Sequence, residues 1–170
     1  NKPILYITGG NQGANTINWR VFKILPMLLN YVNVIHQVGA STITNDLQVA
    51  EETKQNLPKE IQADYLFFEN TYEIIGEIFS LADIVFSRSG ANTVYEILSL
   101  GKLSILIPIP WSSGNEQLMN AQLVAKTGLG FILNQYDAMP PEEMYQSIVT
   151  ALEVWDRNCD FFGRPIAKAK

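Results

Sequence analysis

"ADIVFSRSGANTVYEILSLGKLSILIPIP", Ala82–Pro110, carries a complete strand–helix–strand unit. "DIVFS" (Asp83–Ser87) reads as a strand, and Val94, Ile97 and Leu98 give the following segment the apolar spacing of a helix. Gly101 is placed to end that helix, because glycine enters the left-handed conformation of a C-terminal cap without strain. "SILIPIP" (Ser104–Pro110) is the next strand and stops at prolines. Two strands joined by a crossover helix run parallel, so this one stretch already argues for a parallel sheet.

The same alternation extends in both directions. "ILYIT" (Ile4–Thr8), "VNVIH" (Val32–His36), "YLFF" (Tyr65–Phe68) and "GFIL" (Gly130–Leu133) read as further strands. Helical patterns fall at about 16–29, 42–56, 71–81, 115–127 and from Pro140 to about Trp155. Pro26 interrupts or bends the first near its end. The whole reads as an α/β chain: a Rossmann-like, three-layer open parallel sheet of about six strands flanked by helices. Solid apolar strands suit a sheet covered on both faces.

At 170 residues the chain fits one domain, 1–170, with a poorly patterned tail from about Asp156. It opens "NKPILYITGG", with a strand two residues in and no initiator Met, and reads as a segment cut from something longer. A hydrophobic share of 47% against 17% charged residues is that of a globular domain and not of a disordered one. The net charge of -5 argues against a broad nucleic-acid surface, which needs clustered Lys and Arg. One cysteine, Cys159, excludes an internal disulfide framework and a multi-cysteine metal site and reads as an unreactive free thiol. No apolar run is long enough for a membrane span and no secretory signal is visible.

In sheets of this kind, ligands sit beyond the C-terminal strand ends, where helix N-termini present unpaired N–H groups. Four such junctions have unusual chemistry. "TGGNQGAN" (Thr8–Asn15) has glycines to cradle a phosphate, or simply to make a tight turn. It is neither a Walker motif nor the dinucleotide fingerprint, and no acidic residue ends the second strand, which disfavours a nicotinamide-dependent oxidoreductase. "HQVGA" (His36–Ala40) holds the only histidine, which reads as structural or solvent-facing and has no partners for zinc. "RSGANTVYE" (Arg88–Glu96) combines a glycine junction, capped by Ser89 or Asn92, with a lone carboxylate. Glu96 either holds a vicinal diol through its two oxygens or is an exposed helical charge. "PIPWSSGNEQLMNA" (Pro108–Ala121) brings Asn115, Glu116, Gln117 and Asn120 to another helix start, a group suited to sugar hydroxyls. Together the junctions describe a site for a nucleotide-sugar. No aspartate pair is available for a metal-bound diphosphate, so charge compensation falls to backbone N–H groups and Arg88.

"GGNQGAN" with Asn18, "HQVG", "RSGANTVYE" and "NEQLMNA" at this spacing resemble the C-terminal domain of the MurG-type peptidoglycan N-acetylglucosaminyltransferases, in register from about Ile4 to Trp155. Those enzymes have the two-domain GT-B architecture and transfer N-acetylglucosamine from UDP-N-acetylglucosamine to lipid I with inversion. The resemblance implies that Glu96 holds the ribose hydroxyls and that Thr93 and the N–H groups around Ser89 and Gly90 lie near the diphosphate. It implies that Ala91 N–H meets the sugar, that Glu116, Gln117 and Asn120 meet its hydroxyls, and that the Phe68 backbone reads uracil. Arg88 falls near the base and junction, and Gly10, Gly13 and Ala14 belong to the loop beside the diphosphate. The family often has Ser or Thr at Asn11, Arg at Asn15, a hydroxyl residue at Val38, and Gln-Gln or His-Gln at Glu116–Gln117. The resemblance further implies that a missing N-terminal domain binds the lipid-linked acceptor, docks on the inner face of the plasma membrane and supplies the base. No catalytic residue, metal or cofactor is then expected in this chain, which should bind a UDP-sugar weakly and turn nothing over. A transferase using another UDP-sugar and a glycolipid acceptor, or a non-catalytic nucleotide-sugar-binding or interaction module, is the alternative.

Overall fold

The computed structural model describes residues 2–10 and 13–162, the side chains of 159–162 excepted. The readings of Asn11, of the Cys159 thiol and of the last residues of the tail lie outside the described residues.

Six parallel strands form one sheet: β1 (Ile4–Thr8), β2 (Asn33–Gln37), β3 (Tyr65–Phe68), β4 (Ile84–Ser87), β5 (Leu103–Leu106) and β6 (Gly130–Ile132). Their order is β3-β2-β1-β4-β5-β6, so the chain builds outward from β1, then returns to the middle and builds the other way. Six helices alternate with them: α1 (Asn15–Leu28), α2 (Asp46–Asn56), α3 (Ile75–Leu81), α4 (Ala91–Leu100), α5 (Glu116–Lys126) and α6 (Pro141–Phe162).

Successive side chains of a strand point to opposite faces, and each face here has its own core. Leu5, Ile7, Val34, Ile84, Phe86 and Ile105 point to a core closed by α1 and α6. Tyr6, Ile35, Val85 and Leu106 point to a second core closed by α3, α4 and α5. All of β4, and β1 from Leu5 onward, are buried whichever way the side chains point, which is why the strands read as solid apolar runs.

Several boundaries differ from the sequence reading, each for a local reason. β2 shifts one residue, so Gln37 joins the strand and pairs with Thr8. β5 ends at Leu106, two residues before Pro108, although the Ile107 N–H still bonds to the Ser87 carbonyl. α2 begins at Asp46, after Asn45 adopts a left-handed conformation (φ 48°). α5 begins at Glu116, because Gly114 and Asn115 both have positive φ (59° and 56°). α6 continues past the patterned segment to Phe162, so its last turns are helical although the sequence from Asp156 shows little pattern.

Candidate functional site

Return of the chain from β3 to β4 places neighbouring strands β1 and β4 under helices on opposite faces. Such a switch point leaves a crevice at the C-terminal strand ends. The two loops that flank it are the glycine loop after Thr8 and the Arg88–Gly90 turn after Ser87.

The glycine loop is shaped by close packing. A Cβ on Gly13, which has φ 75°, would stand 2.3 Å from the Val38 carbonyl oxygen, so this residue must be glycine for the loop to reach β2. Gly10 also has positive φ (90°) but faces open space, and its N–H donates to Thr8 Oγ1 at 3.0 Å. Ala14 starts α1 without a side-chain cap.

Behind the loop is a buried network that explains "HQVG" and the two asparagines of α1. Asn18 Nδ2 donates to the Val38 carbonyl (2.8 Å) and to Asp46 Oδ2 (2.7 Å), and Asn15 Nδ2 donates to Asp46 Oδ1 (2.7 Å). Asn18 Oδ1 therefore accepts from His36 Nε2 at 3.0 Å, which makes His36 the Nε2–H tautomer. Its Nδ1 then accepts the Tyr65 hydroxyl proton at 3.1 Å. Burial pushes the His36 pKa down to about 3, so the ring is neutral and structural.

The Arg88–Gly90 turn is braced against α5. Ser89 is buried and donates through Oγ to the Gln117 carbonyl at 2.7 Å. Asn120 Nδ2 returns a bond to the Ser89 carbonyl at 3.0 Å. Gln117 Oε1 accepts the Ile109 N–H at 3.0 Å, so its NH2 group is the end left to face a ligand. The two motif segments thus hold each other in place.

Gly90 is the N-cap of α4, in place of the Ser89 or Asn92 expected from sequence, and no side chain caps the helix. Val94 N–H to the Gly90 carbonyl (3.0 Å) opens the helical bonding, so the N–H groups of Ala91, Asn92 and Thr93 precede it. Gly90 has an ordinary φ of -65° and a Cβ there would meet nothing, so the fold itself gives no reason for glycine. A ligand that had to approach the backbone here would be such a reason. Gly90→Ala should change stability by less than about 1 kcal/mol, while the affinity for UDP in a titration falls. Unchanged affinity would leave the glycine without a function.

Glu96 is the sixth residue of α4 and is half-buried. Among the described residues it makes no hydrogen bond or ion pair. Desolvation raises its pKa above that of an ordinary glutamate, so an ionised Glu96 is in want of donors.

Arg88 follows β4 directly, at the junction with α4. It points to the α1–α6 face, where Nη1 donates to the Ile107 carbonyl (2.9 Å) and Nη2 to Thr16 Oγ1 (3.1 Å). β4 lies three strands from β3, about 14 Å at the usual strand spacing. Burial, and secondarily the nearby Arg20, push the Arg88 pKa down to about 10. Phe68 ends β3, and its carbonyl already accepts the Val38 N–H at 2.9 Å, which leaves one lone pair for a base. Beside it a recess of about 260 Å³ opens between the β2–α2 segment and Glu69. Glu116 and Ala91 are exposed, and Thr93 is half-buried. Among the described residues, no three His, Cys, Asp or Glu side chains are grouped to hold a metal ion.

Residues 4–155 match the glycosyltransferase family 28 C-terminal domain. The chain belongs to that family. It is 36% identical over 136 residues to the UDP-N-acetylglucosamine–N-acetylmuramyl-(pentapeptide) pyrophosphoryl-undecaprenol N-acetylglucosamine transferase of Clostridium perfringens, covering 79% of this chain and 35% of that protein. The transferase of the same name from Clostridium botulinum strain Loch Maree is likewise 36% identical, with the same coverage. Among solved structures, Acinetobacter baumannii MurG superposes with a TM-score of 0.67 at 28% identity, over 89% of this chain and 42% of that one. The fold is thus that of a MurG-like GT-B donor-binding domain, and the chain spans about a third of the length of the curated relatives it matches.

Proposed function

We propose that this chain is the donor-binding half of an inverting transferase that moves N-acetylglucosamine from UDP-N-acetylglucosamine to undecaprenyl-diphospho-N-acetylmuramoyl-pentapeptide. The observation that carries this is Glu96: a half-buried carboxylate without a protein partner among the described residues, beside an uncapped helix start whose glycine faces open space. The shared name of the relatives supports the choice of sugar and acceptor.

In this reading Glu96 accepts the two ribose hydroxyls, and the N–H groups of Ala91 and Thr93, with the α4 dipole, receive the diphosphate and sugar. Gly10 and Gly13 let the first loop approach the diphosphate from the other side, with Ala14 behind it. The Gln117 NH2 group and Glu116 meet the sugar hydroxyls, while Ser89 and Asn120 hold the turn in place. The base meets the Phe68 carbonyl, next to the recess that Glu69 and the β2–α2 segment line. Arg88 acts by fixing the turn to α1 and to Ile107, just after β5. Preorganised donors of this kind stabilise the charge that grows on UDP as it leaves.

Acceptor binding and the general base then come from outside these 170 residues, in an assembly peripheral to the inner face of the plasma membrane. No helix among the described residues is long and apolar enough to cross a membrane. Catalysis requires both reactants to be held together, so the chain alone binds donor and transfers nothing. Titration calorimetry with UDP, UDP-N-acetylglucosamine and UDP-galactose tests this. UDP should bind, and UDP-N-acetylglucosamine should bind more tightly than UDP-galactose. Preference for UDP-galactose would support a related transferase with another donor. Failure of all three would overturn the reading.

A further inference from the structure

The loop between β5 and α5 carries a large aromatic side chain that the donor site as described does not use. Trp111 is 69% exposed, and among the described residues its ring makes no hydrogen bond or ring contact. Exposure alone gives it no role, since single apolar side chains are common on protein surfaces. The way its backbone is held does.

The Ser112 N–H bonds to the Ile109 carbonyl at 3.2 Å, which closes a tight turn with Pro110 and Trp111 at its two central positions. Both ends of that turn rest on Gln117. The Ile109 N–H donates to Gln117 Oε1 at 3.0 Å, and the Gln117 N–H donates to Ser112 Oγ at 3.4 Å. The Gln117 carbonyl in turn accepts from Ser89 Oγ, in the turn before α4, at 2.7 Å. The loop is tied to that same turn where it begins. The Ile107 N–H bonds to the Ser87 carbonyl, and the Ile107 carbonyl accepts from Arg88 Nη1. Pro108 and Pro110 each fix a φ angle between these anchors. Trp111 is thus the tip of a stiff turn clamped to one residue. The Gln117 NH2 group, on that residue, has no partner among the described residues.

A pyranose ring has two unlike surfaces. Its rim carries hydroxyls, which call for polar groups such as the Gln117 amide. Its faces carry weakly positive C–H bonds, which suit the electron-rich face of an indole. Ligand sites combine the two kinds of contact, an apolar or aromatic wall with a few placed polar groups. We propose that Trp111 is a specificity residue for the donor sugar: its indole packs on one face of the transferred pyranose while the Gln117 NH2 group holds a hydroxyl at the rim. This rests on the placing of Gln117 at the sugar, and it assigns to the loop before α5 the selection of a nucleotide-sugar over the bare nucleotide. An indole has only two side-chain torsions, and on a stiff turn it loses little freedom when a sugar covers it.

Titrations with UDP and with UDP-N-acetylglucosamine separate the sugar from the nucleotide. Trp111→Ala should weaken UDP-N-acetylglucosamine roughly three- to tenfold and leave UDP within about twofold of the unaltered chain. Trp111→Phe keeps an aromatic face and should recover most of the loss. Unchanged affinity for UDP-N-acetylglucosamine in Trp111→Ala would overturn the proposal. So would an equal loss for both ligands, the mark of a side chain that only shapes the loop. The indole N–H signal of Trp111 in NMR, identified by its absence from Trp111→Phe, reports on the unaltered chain. It should move with UDP-N-acetylglucosamine and stay in place with UDP. A signal that stays with both ligands, or moves equally with both, overturns the proposal even where the alanine variant does not fold. If UDP itself does not bind, the donor reading fails and the proposal with it. If UDP binds and only the Trp111 tests fail, that reading stands and the proposal alone is lost.

Discussion

Glu96→Ala should lower the affinity for UDP by roughly ten- to hundredfold while hardly moving the unfolding midpoint. Hydrogen bonds to a charged group contribute about 1.5–3 kcal/mol, and a bound ribose loses its acceptor with the carboxylate. Stability is a separate matter. Among the described residues Glu96 makes no hydrogen bond or ion pair, and burial already disfavours its charge, so its removal relieves a small penalty. The same burial predicts that UDP binding weakens in acid starting above the pH range of an ordinary glutamate, because protonation removes the acceptor. Glu96→Gln should fall between the two, since an amide keeps one acceptor oxygen. Calorimetric titration and thermal unfolding on the same samples check both halves. Equal affinity in the two proteins would refute the assignment, and a large loss of stability would make Glu96 a structural residue.

How much of this was legible in sequence depended on the range of the interaction. The strands could be read because burial on both faces leaves solid apolar runs, and Gly101 could be read as a helix end because its left-handed φ of 61° is what glycine permits. Glu96 stood out because a carboxylate near a glycine junction is local information. The direction of Arg88 was not legible: which face a residue at a strand end turns to depends on register and on what fills each face. Nor was the cap of α4, since Gly90 takes that place without a side-chain bond while Ser89, the better capping residue, reaches across to the Gln117 carbonyl. Gln37 was read as part of a loop, and only the one-residue shift of β2 brings it beside Thr8.

Motif residues accordingly fall into two physical groups. Ser89, Asn120, Asn18 and Arg88 satisfy their polar groups inside the protein and set the shape of the two loops. Glu96 makes no hydrogen bond or ion pair among the described residues, Gly90 has open space where a Cβ would stand, and no side chain caps the first N–H groups of α4. The first group tolerates little change because the buried bonds of each residue depend on the others. The second can be altered with small structural effect, so altered donor binding by its variants is interpretable.

The largest effect on stability should come from acid, through His36. In the unfolded chain its imidazole gains a proton near pH 6.5, whereas in the folded chain burial holds the pKa down to about 3. Between those values the unfolded state binds one more proton than the folded state, so stability falls as pH falls. The full stability is present above about pH 6.5, and each unit below removes up to about 1.4 kcal/mol until pH 3. A loss of several kcal/mol is a large part of what holds a domain together. The geometry gives the reason: protonation puts a proton on Nδ1, which accepts from Tyr65, while Nε2–H is already committed to Asn18. The charged ring would keep its Nε2–H bond to Asn18, but the Tyr65 hydroxyl would have to turn its proton away and the imidazolium would be buried without a carboxylate in contact with it among the described residues. Because His36 is the only histidine in the chain, its ring signals in NMR are unambiguous. They should remain those of a neutral Nε2–H imidazole until the protein unfolds. Denaturant unfolding at a series of pH values should show the slope of one proton, and His36→Gln should lose that slope whatever its own stability. An imidazole that titrates near pH 6.5 in the folded protein would show that the ring is not locked in this network.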